Sequence, residues 1–299
     1  MKRPVYVVDS FSDRPLLGNP AGVVLDGTGL DAARMLAIAG EMKHSETAFP
    51  LPAQDPKASL HLRWFSPTSE VAFCGHATLA TFHVLVDEAG RIRVPPGKTV
   101  LTSFTCKSGL LHVELSRAAD GALRVLIETP ASRFEPAQVS AALLTALGLV
   151  PEVLDPASPP ARSTILEGNL YLAVRGRGDL ARCKPDGAAL AEIGKELGVG
   201  GFVLYTQAGK PGLDAAMRCF FPGYGILEDS VTGSAAGQLG VLLHTARPLP
   251  LPRRMVFSQG DEIGRPGQVE VELRPGDGTV RGWISGQAQV ILRGELDLR

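Results

Sequence analysis

Apolar and polar residues alternate over short stretches along most of the chain. In the first half VYVVDSF (5–11), AGVVL (21–25), TAFPL (47–51), LHLRWF (60–65), LLHVEL (110–115) and LRVLIE (123–128) read as strands. In the second half LYLAVRG (170–176), FVLYTQ (202–207), AAMRCFF (215–221), VEVEL (269–273) and AQVILRG (288–294) do the same. Helical spacing appears over residues 31–42, 75–88, 139–149, 186–197 and 234–245. Strand content outweighs helix, and the two do not alternate strictly. The pattern predicts an α+β protein and not a doubly wound parallel sheet.

One helical stretch has no polar face. Ala77, Leu79, Ala80, Phe82, Val84, Leu85 and Val86 surround its axis. A helix apolar all round is buried. The stretch at 234–245 is flanked or interrupted by Gly233, Gly237 and Gly240. Interior glycines cost a helix about 1 kcal/mol each against alanine. They are tolerated where sheet backbone presses close, so both helices are expected to thread a sheet.

These two helices belong to an internal repeat. LRWFSPTSEVAFCGHATLATFHVLV (62–86) parallels MRCFFPGYGILEDSVTGSAAGQLGVLLH (217–244), with Arg63 and Pro67 matching Arg218 and Pro222. Farther on, SGLLHVEL (108–115) parallels PGQVEVEL (266–273). The offset is 155 residues at the arginines and 158 at the closing leucines, close to half of the 299-residue chain. The reading is two similar lobes, each a twisted, barrel-like sheet around one helix.

Composition narrows the function classes. Charged residues make up 20% of the chain and the net charge is -1, so neither a nucleic-acid partner nor a membrane surface is expected. MKRPVYVVDSFSD reaches an aspartate directly after VYVV, too soon for a signal segment, and the expected location is cytoplasmic. The cysteines, Cys74, Cys106, Cys183 and Cys219, lie far apart and are expected to be free. VVLDGTGLDA (23–32) matches a permissive dinucleotide fingerprint, but Glu46, the acid at the right distance, precedes its strand when it should end it. A turn and helix start is the better reading.

The chemistry-bearing candidates gather at the repeat. Helix N-termini favour anions through free N–H groups and the macrodipole. Here Cys74-Gly75-His76 and Thr232-Gly233-Ser234 open the two buried helices, and in a two-lobed duplication they are expected to converge on one cleft. Plain capping by Thr232, Ser234 or Thr78 is the alternative. Glu46, in KHSETAFP, is either a solvated loop carboxylate or a buried acid/base. His76 is expected to be neutral, because the helix dipole disfavours imidazolium. Cys74 is either a stabilised thiolate or a small buried hydrophobe. Asp229 and Glu228 read as surface loop acids, unless the repeat brings them to a site. The remaining histidines (His44, His61, His83, His112 and His244) show no metal-ligand spacing, and no metal is expected.

DSFSDRPLLGNPAGVVL, HSETAF, FSPTSEVAFCGHATLA and EDSVTGSAAGQL together resemble the successive signatures of the phenazine-biosynthesis PhzF-like proteins, relatives of diaminopimelate epimerase. The resemblance runs through the final GQAQVILRGEL. It implies two pseudo-symmetric lobes of the diaminopimelate-epimerase fold, residues 1–118 plus 287–299 and residues 119–286. It implies an isomerase without metal or organic cofactor, working on a small, possibly cyclic carboxylate, and a homodimer. Carried across, Glu46 is the acid/base and His76 and Asp229 are catalytic. Gly75, Gly233, Ser234, Cys74, Asn19 and Thr232 bind substrate.

Two departures matter. Many members have proline after the aspartate, whereas this chain has Ser230, which predicts a looser Asp229. The epimerase relatives use a cysteine at each helix head, whereas Thr232 stands opposite Cys74 in the repeat. A threonine hydroxyl is far too weak an acid for a two-thiol proton relay. The residues favour a one-base proton shift through Glu46. An epimerase-like or lyase reaction on an amino-acid-derived acid remains open, as does a non-catalytic binding protein on the same scaffold.

Overall fold

The stretches read as strands form strands, and others that the pattern missed complete the sheets. The computed structural model describes residues 2–165, 168–276 and 278–298. Along the chain run β1 (Lys2–Ser10), β2 (Asn19–Val24), α1 (Ala32–Met42), β3 (Glu46–Pro52), β4 (Leu60–Phe65), β5 (Glu70–Val71), α2 (Gly75–His83), β6 (Thr99–Cys106), β7 (Gly109–Arg117) and β8 (Leu123–Glu128). There follow β9 (Phe134–Pro136), α3 (Ala141–Leu147), β10 (Ala161–Ser163), β11 (Asn169–Ala173), α4 (Arg177–Arg182), α5 (Gly187–Leu197), β12 (Gly201–Thr206), β13 (Ala215–Phe221), β14 (Ile226–Asp229), α6 (Gly233–Ala246), β15 (Arg253–Gln259), β16 (Gly267–Pro275), β17 (Val280–Ser285) and β18 (Ala288–Asp297). The fold is α+β, in two units: Met1–Pro130 with Trp283–Arg299, and Ala131–Gly282.

The duplication is complete at the level of topology. In the first unit β18, β1 and β2 are antiparallel neighbours, β2 is parallel to β3, β3–β4–β5 is antiparallel, β4 is parallel to β6, and β6–β7 is antiparallel. In the second unit β9, β10, β11, β12, β13, β14, β15 and β16 repeat that order and every direction. Parallel neighbours cannot be joined by a hairpin, so each parallel step carries a crossover. α2 crosses from β4 to β6 and α6 from β13 to β15. The β2–α1–β3 crossover explains the false dinucleotide fingerprint. A parallel βαβ unit is there, but Glu46 opens β3, where the fingerprint's acid would close it.

In the first unit the period-2 pattern sorts side chains onto two buried faces. Trp64 of β4 stacks edge-on with Phe73 and Phe104, and Phe104 meets Phe82 of α2. On the opposite face Phe65 and Phe49 pack with Val5, Val24 and the Met35, Ile38 and Ala39 stripe of α1. α2 is buried from Gly75 to Phe82 and touches β1, β2, β3, β8 and β18. It continues through a single π-helical turn, Val84–Glu88, so the helical stretch ends where the apolar pattern does. Thr78 and Thr81 donate their hydroxyls to the carbonyls of Cys74 and Ala77, which lets polar side chains sit inside.

In the second unit α6 is held by a buried glutamine. Gln238 Oε1 accepts from Tyr171 Oη at 2.7 Å and from Asn169 Nδ2 at 3.3 Å, both on β11. A Cβ on Gly240 would lie 2.8 Å from Val271 Cγ1 and 3.3 Å from Leu273 Cδ2. The close approach that needs this glycine is to β16 side chains, not to the sheet backbone the sequence suggested. α3 and α5 pack leucines 143, 144, 147 and 190 on Leu170, Leu172, Phe202 and Leu204.

The repeat motif has a physical reason. Arg63 grips Glu70 with two hydrogen bonds (2.7 and 2.9 Å) and lies 5.0 Å from the Phe65 ring centre. Arg218 grips Glu228 the same way (2.8 and 2.7 Å) and lies 5.2 Å from Phe220. Each clamp ties the strand before the helix to the short strand that leads into it. Glu228 is therefore not a surface loop acid: its side chain is 10% exposed. Arg218 also donates to the carbonyls of Leu180 and Cys183 at the end of α4. All four cysteines are free and buried. Among the described residues no helix is long and apolar enough to cross a membrane.

Candidate functional site

The head of α2 gathers the candidates of the first unit. Cys74, at the N-cap position, is extended (φ −140°, ψ 112°) and its side chain caps no helical N–H. Thr78 does not cap either, since its hydroxyl points back to Cys74 O. β3 starts at Glu46 and delivers its carboxylate to this helix head. Glu46 Oε2 lies 3.3 Å from His76 Nε2 and 3.7 Å from Cys74 Sγ. Cys74 Sγ lies 3.4 Å from His76 Nδ1. The Glu46 side chain is 13% exposed and that of His76 5%, so Glu46 is enclosed and no solvated loop acid.

Asn19 and Ser45 flank the His76 ring. Asn19 Nδ2 lies 3.3 Å from Nδ1. Ser45 Oγ donates its one proton to Asn19 Oδ1 at 3.3 Å and is left as an acceptor toward Nε2, also 3.3 Å away. With the Asn19 amide in this orientation, both contacts fit a ring proton on Nε2, the nitrogen facing Glu46. Ser10 Oγ donates to the His76 carbonyl at 2.8 Å and fixes the backbone. Neither Ser10 nor Ser45 stands out in the sequence. Ser45 has one signal, its place immediately before Glu46 in KHSETAFP.

In the second unit Thr232 takes the N-cap position of α6, again extended (φ −105°, ψ 91°) and again without a side-chain cap. Its hydroxyl donates instead to Asp229 Oδ2 at 2.6 Å. Gln259 completes the cluster. Its Oε1 accepts from the Thr232 N–H at 2.9 Å, and its Nε2 donates to the Asp229 carbonyl at 2.8 Å and to Thr232 Oγ1 at 3.1 Å. Asp229 is buried, its carboxylate held by Thr232 and its carbonyl by Gln259. Burial pushes the neighbouring Cys219 thiol far up, and it offers no substitute for the missing helix-head cysteine. Gly233 is buried and Ser234 half-buried at the same helix head. Gln259 carried no sequence signal; it lies 27 residues beyond Thr232 on another strand.

The donor set at Glu46, Cys74 and His76 is also the one described cluster of its type able to hold a metal ion. The histidine spacing along the chain gives no hint of it, because its members come from two elements.

Comparison with known proteins agrees with this anatomy. The family described as phenazine biosynthesis-like protein, PhzC-PhzF, matches residues 8–294. The chain is 34% identical to the uncharacterized isomerase YddE of Escherichia coli O157:H7 over 303 residues, covering 99% of this chain and 98% of that protein. It is 35% identical to an uncharacterized isomerase of Pseudomonas aeruginosa over 299 residues, covering 100% of both. Among solved structures it resembles the Bacillus anthracis phenazine biosynthesis protein of the PhzF family, with a TM-score of 0.88, 25% identity and 100% of each chain covered. With the match spanning nearly its whole length, the chain belongs to the PhzC-PhzF, phenazine biosynthesis-like family.

Proposed function

We propose that this protein is a cofactor-independent isomerase that moves a proton within a small carboxylate, with Glu46 as the acid/base. The observation that carries the reading is the enclosed Glu46 carboxylate at an uncapped helix head, 3.3 Å from the His76 imidazole. The relatives named isomerases support the class.

The α2 head supplies N–H groups and the positive end of the dipole to the substrate's carboxylate. Gly75 lets that backbone be approached. His76 Nε2–H holds Glu46 Oε2 and fixes the face that the carboxylate presents. Glu46 takes a proton from one carbon and returns it to another. Asp229, Gly233 and Ser234 are assigned to substrate orientation on the family resemblance. Two-thiol racemisation is disfavoured: the residue matching Cys74 is Thr232, and its proton is committed to Asp229.

The test is proton exchange. The protein is incubated with cyclic and amino-acid-derived carboxylates in heavy water, and deuterium uptake is read by mass spectrometry. Uptake on at least one carboxylate is expected, with a loss of at least about 100-fold in Glu46→Gln. Undiminished uptake in that variant removes Glu46 as the base. Uptake with retained skeleton but inverted configuration favours the epimerase-like reading. Absence of uptake across a broad panel favours a binding protein.

A further inference from the structure

Three different ligating groups meet at the head of α2, and the meeting is closed on every edge. The donor atoms of Glu46, Cys74 and His76 lie within 4.8 Å of one another. Sγ to Oε2 is 3.7 Å, Nε2 to Oε2 is 3.3 Å, and Sγ is 3.4 Å from Nδ1 and 4.0 Å from Nε2. Hydrogen bonding alone needs only pairs. A tetrahedral zinc ion, with bonds of about 2.3 Å to sulfur and 2.0–2.2 Å to nitrogen and oxygen, holds its ligand atoms roughly 3.3–3.6 Å apart. The observed edges through Nε2 reach that spacing with shifts of a few tenths of an ångström.

We infer that Glu46, Cys74 and His76 form a binding site for a borderline-soft divalent cation such as Zn2+, and that its occupation inhibits the enzyme. Thiolate and imidazole select zinc-like ions over Mg2+ and Ca2+, which prefer all-oxygen shells. Three protein ligands leave a fourth position for water. The second shell fits as well. A histidine bound through Nε2 donates its Nδ1–H to a nearby oxygen. Asn19 supplies that oxygen by turning its amide over, with Ser45 Oγ then accepting from Nδ2. On binding, the Cys74 thiol proton passes to solvent and the Nε2 proton moves to Nδ1. The metal site stands on geometry alone. Inhibition rests on the reading of Glu46 as the base, whose lone pair the metal would occupy.

The probe is Co2+ titrated into the reduced, chelator-stripped full chain. Among the described residues Cys74 alone of the cysteines belongs to a cluster of three ligating side chains, so a thiolate band is assigned to it. One equivalent of Co2+ is expected to give a near-ultraviolet thiolate-to-cobalt band that Zn2+ abolishes. Cys74→Ala should lose the band, and Glu46→Gln, which keeps volume and shape, should bind Co2+ at least tenfold more weakly. No band in the wild-type chain overturns the site. So does a band that persists in folded Cys74→Ala, or unchanged affinity in Glu46→Gln. The second arm adds Zn2+ to the deuterium-uptake assay and expects inhibition that a chelator reverses. A bound metal with full activity overturns inhibition and, with it, Glu46 as base. Failure of metal binding leaves the isomerase reading intact.

Discussion

His76 Nε2 lies 3.3 Å from Glu46 Oε2, and Asn19 Nδ2 lies 3.3 Å from Nδ1 on the other side of the ring. Glu46 comes from the start of β3, His76 from the first turn of α2 and Asn19 from the start of β2. Three elements thus surround one imidazole.

Asn19→Asp tests that arrangement. A carboxylate at Nδ1 draws the ring proton to that side and leaves Nε2 as an acceptor facing Glu46. Deuterium uptake is expected to fall by roughly 10–100-fold. Nitrogen NMR of the His76 ring should show Nδ1 and Nε2 exchanging their protonated and bare signatures. A loss of activity without that exchange would make Asn19 a substrate contact and not a positioning residue.

The two arginine clamps should differ in strength. The Arg218 and Glu228 side chains are 5% and 10% exposed, those of Arg63 and Glu70 22% and 15%. Removing one partner of a buried pair strands the other charge and costs about 3–5 kcal/mol. Glu228→Gln is expected to cost that much and Glu70→Gln roughly half, read from urea unfolding. Equal losses would show that burial does not set the difference.

Gly240→Ala tests the packing of α6. Alanine gains about 1 kcal/mol of helix propensity. Its Cβ meets the stiff, β-branched Val271 at 2.8 Å, and overpacking costs about 1–3 kcal/mol. A net loss of stability is expected. A net gain would mean that β16 yields without strain.

Stability should fall on mild acidification. Burial holds the His83 and His61 imidazoles below the ordinary histidine value of 6.5. Between that value and their depressed folded ones, the unfolded chain binds more protons. The stability that the neutral rings contribute is full above 6.5 and is lost as pH falls through this window. Urea midpoints are expected to drop between about pH 7 and pH 5.5, and His83→Gln should flatten the drop. An identical slope in the variant would place the linkage elsewhere.

Much of this protein is written in short-range patterns. The helical stretches at 31–42, 75–88, 139–149, 186–197 and 234–245 are all present, because amphipathic or wholly apolar spacing over three turns is a strong local signal. β6 and β15 were not legible: TVLTSFTC and RRMVFSQ mix polar and apolar residues without clean alternation. They are strands because β7 and β16 pair with them antiparallel along their whole lengths, with β4 and β13 adding short parallel contacts. Arg63 and Arg218 marked the repeat, but their partners Glu70 and Glu228 did not. A hairpin turn brings each acid back to its arginine, and Glu228 therefore read as a surface acid.

By itself the sequence determined the α+β class, the duplication, the two buried helices and the residues at their heads, since these rest on periodicity and local spacing. Tertiary structure alone decided what those residues touch. Glu46 and His76 are 30 positions apart in sequence and 3.3 Å apart in space, and Asn19, Ser45 and Gln259 gain their roles only through strands laid beside a helix head. A carboxylate's chemistry depends on what surrounds it, and in this protein those surroundings are assembled from segments distant along the chain.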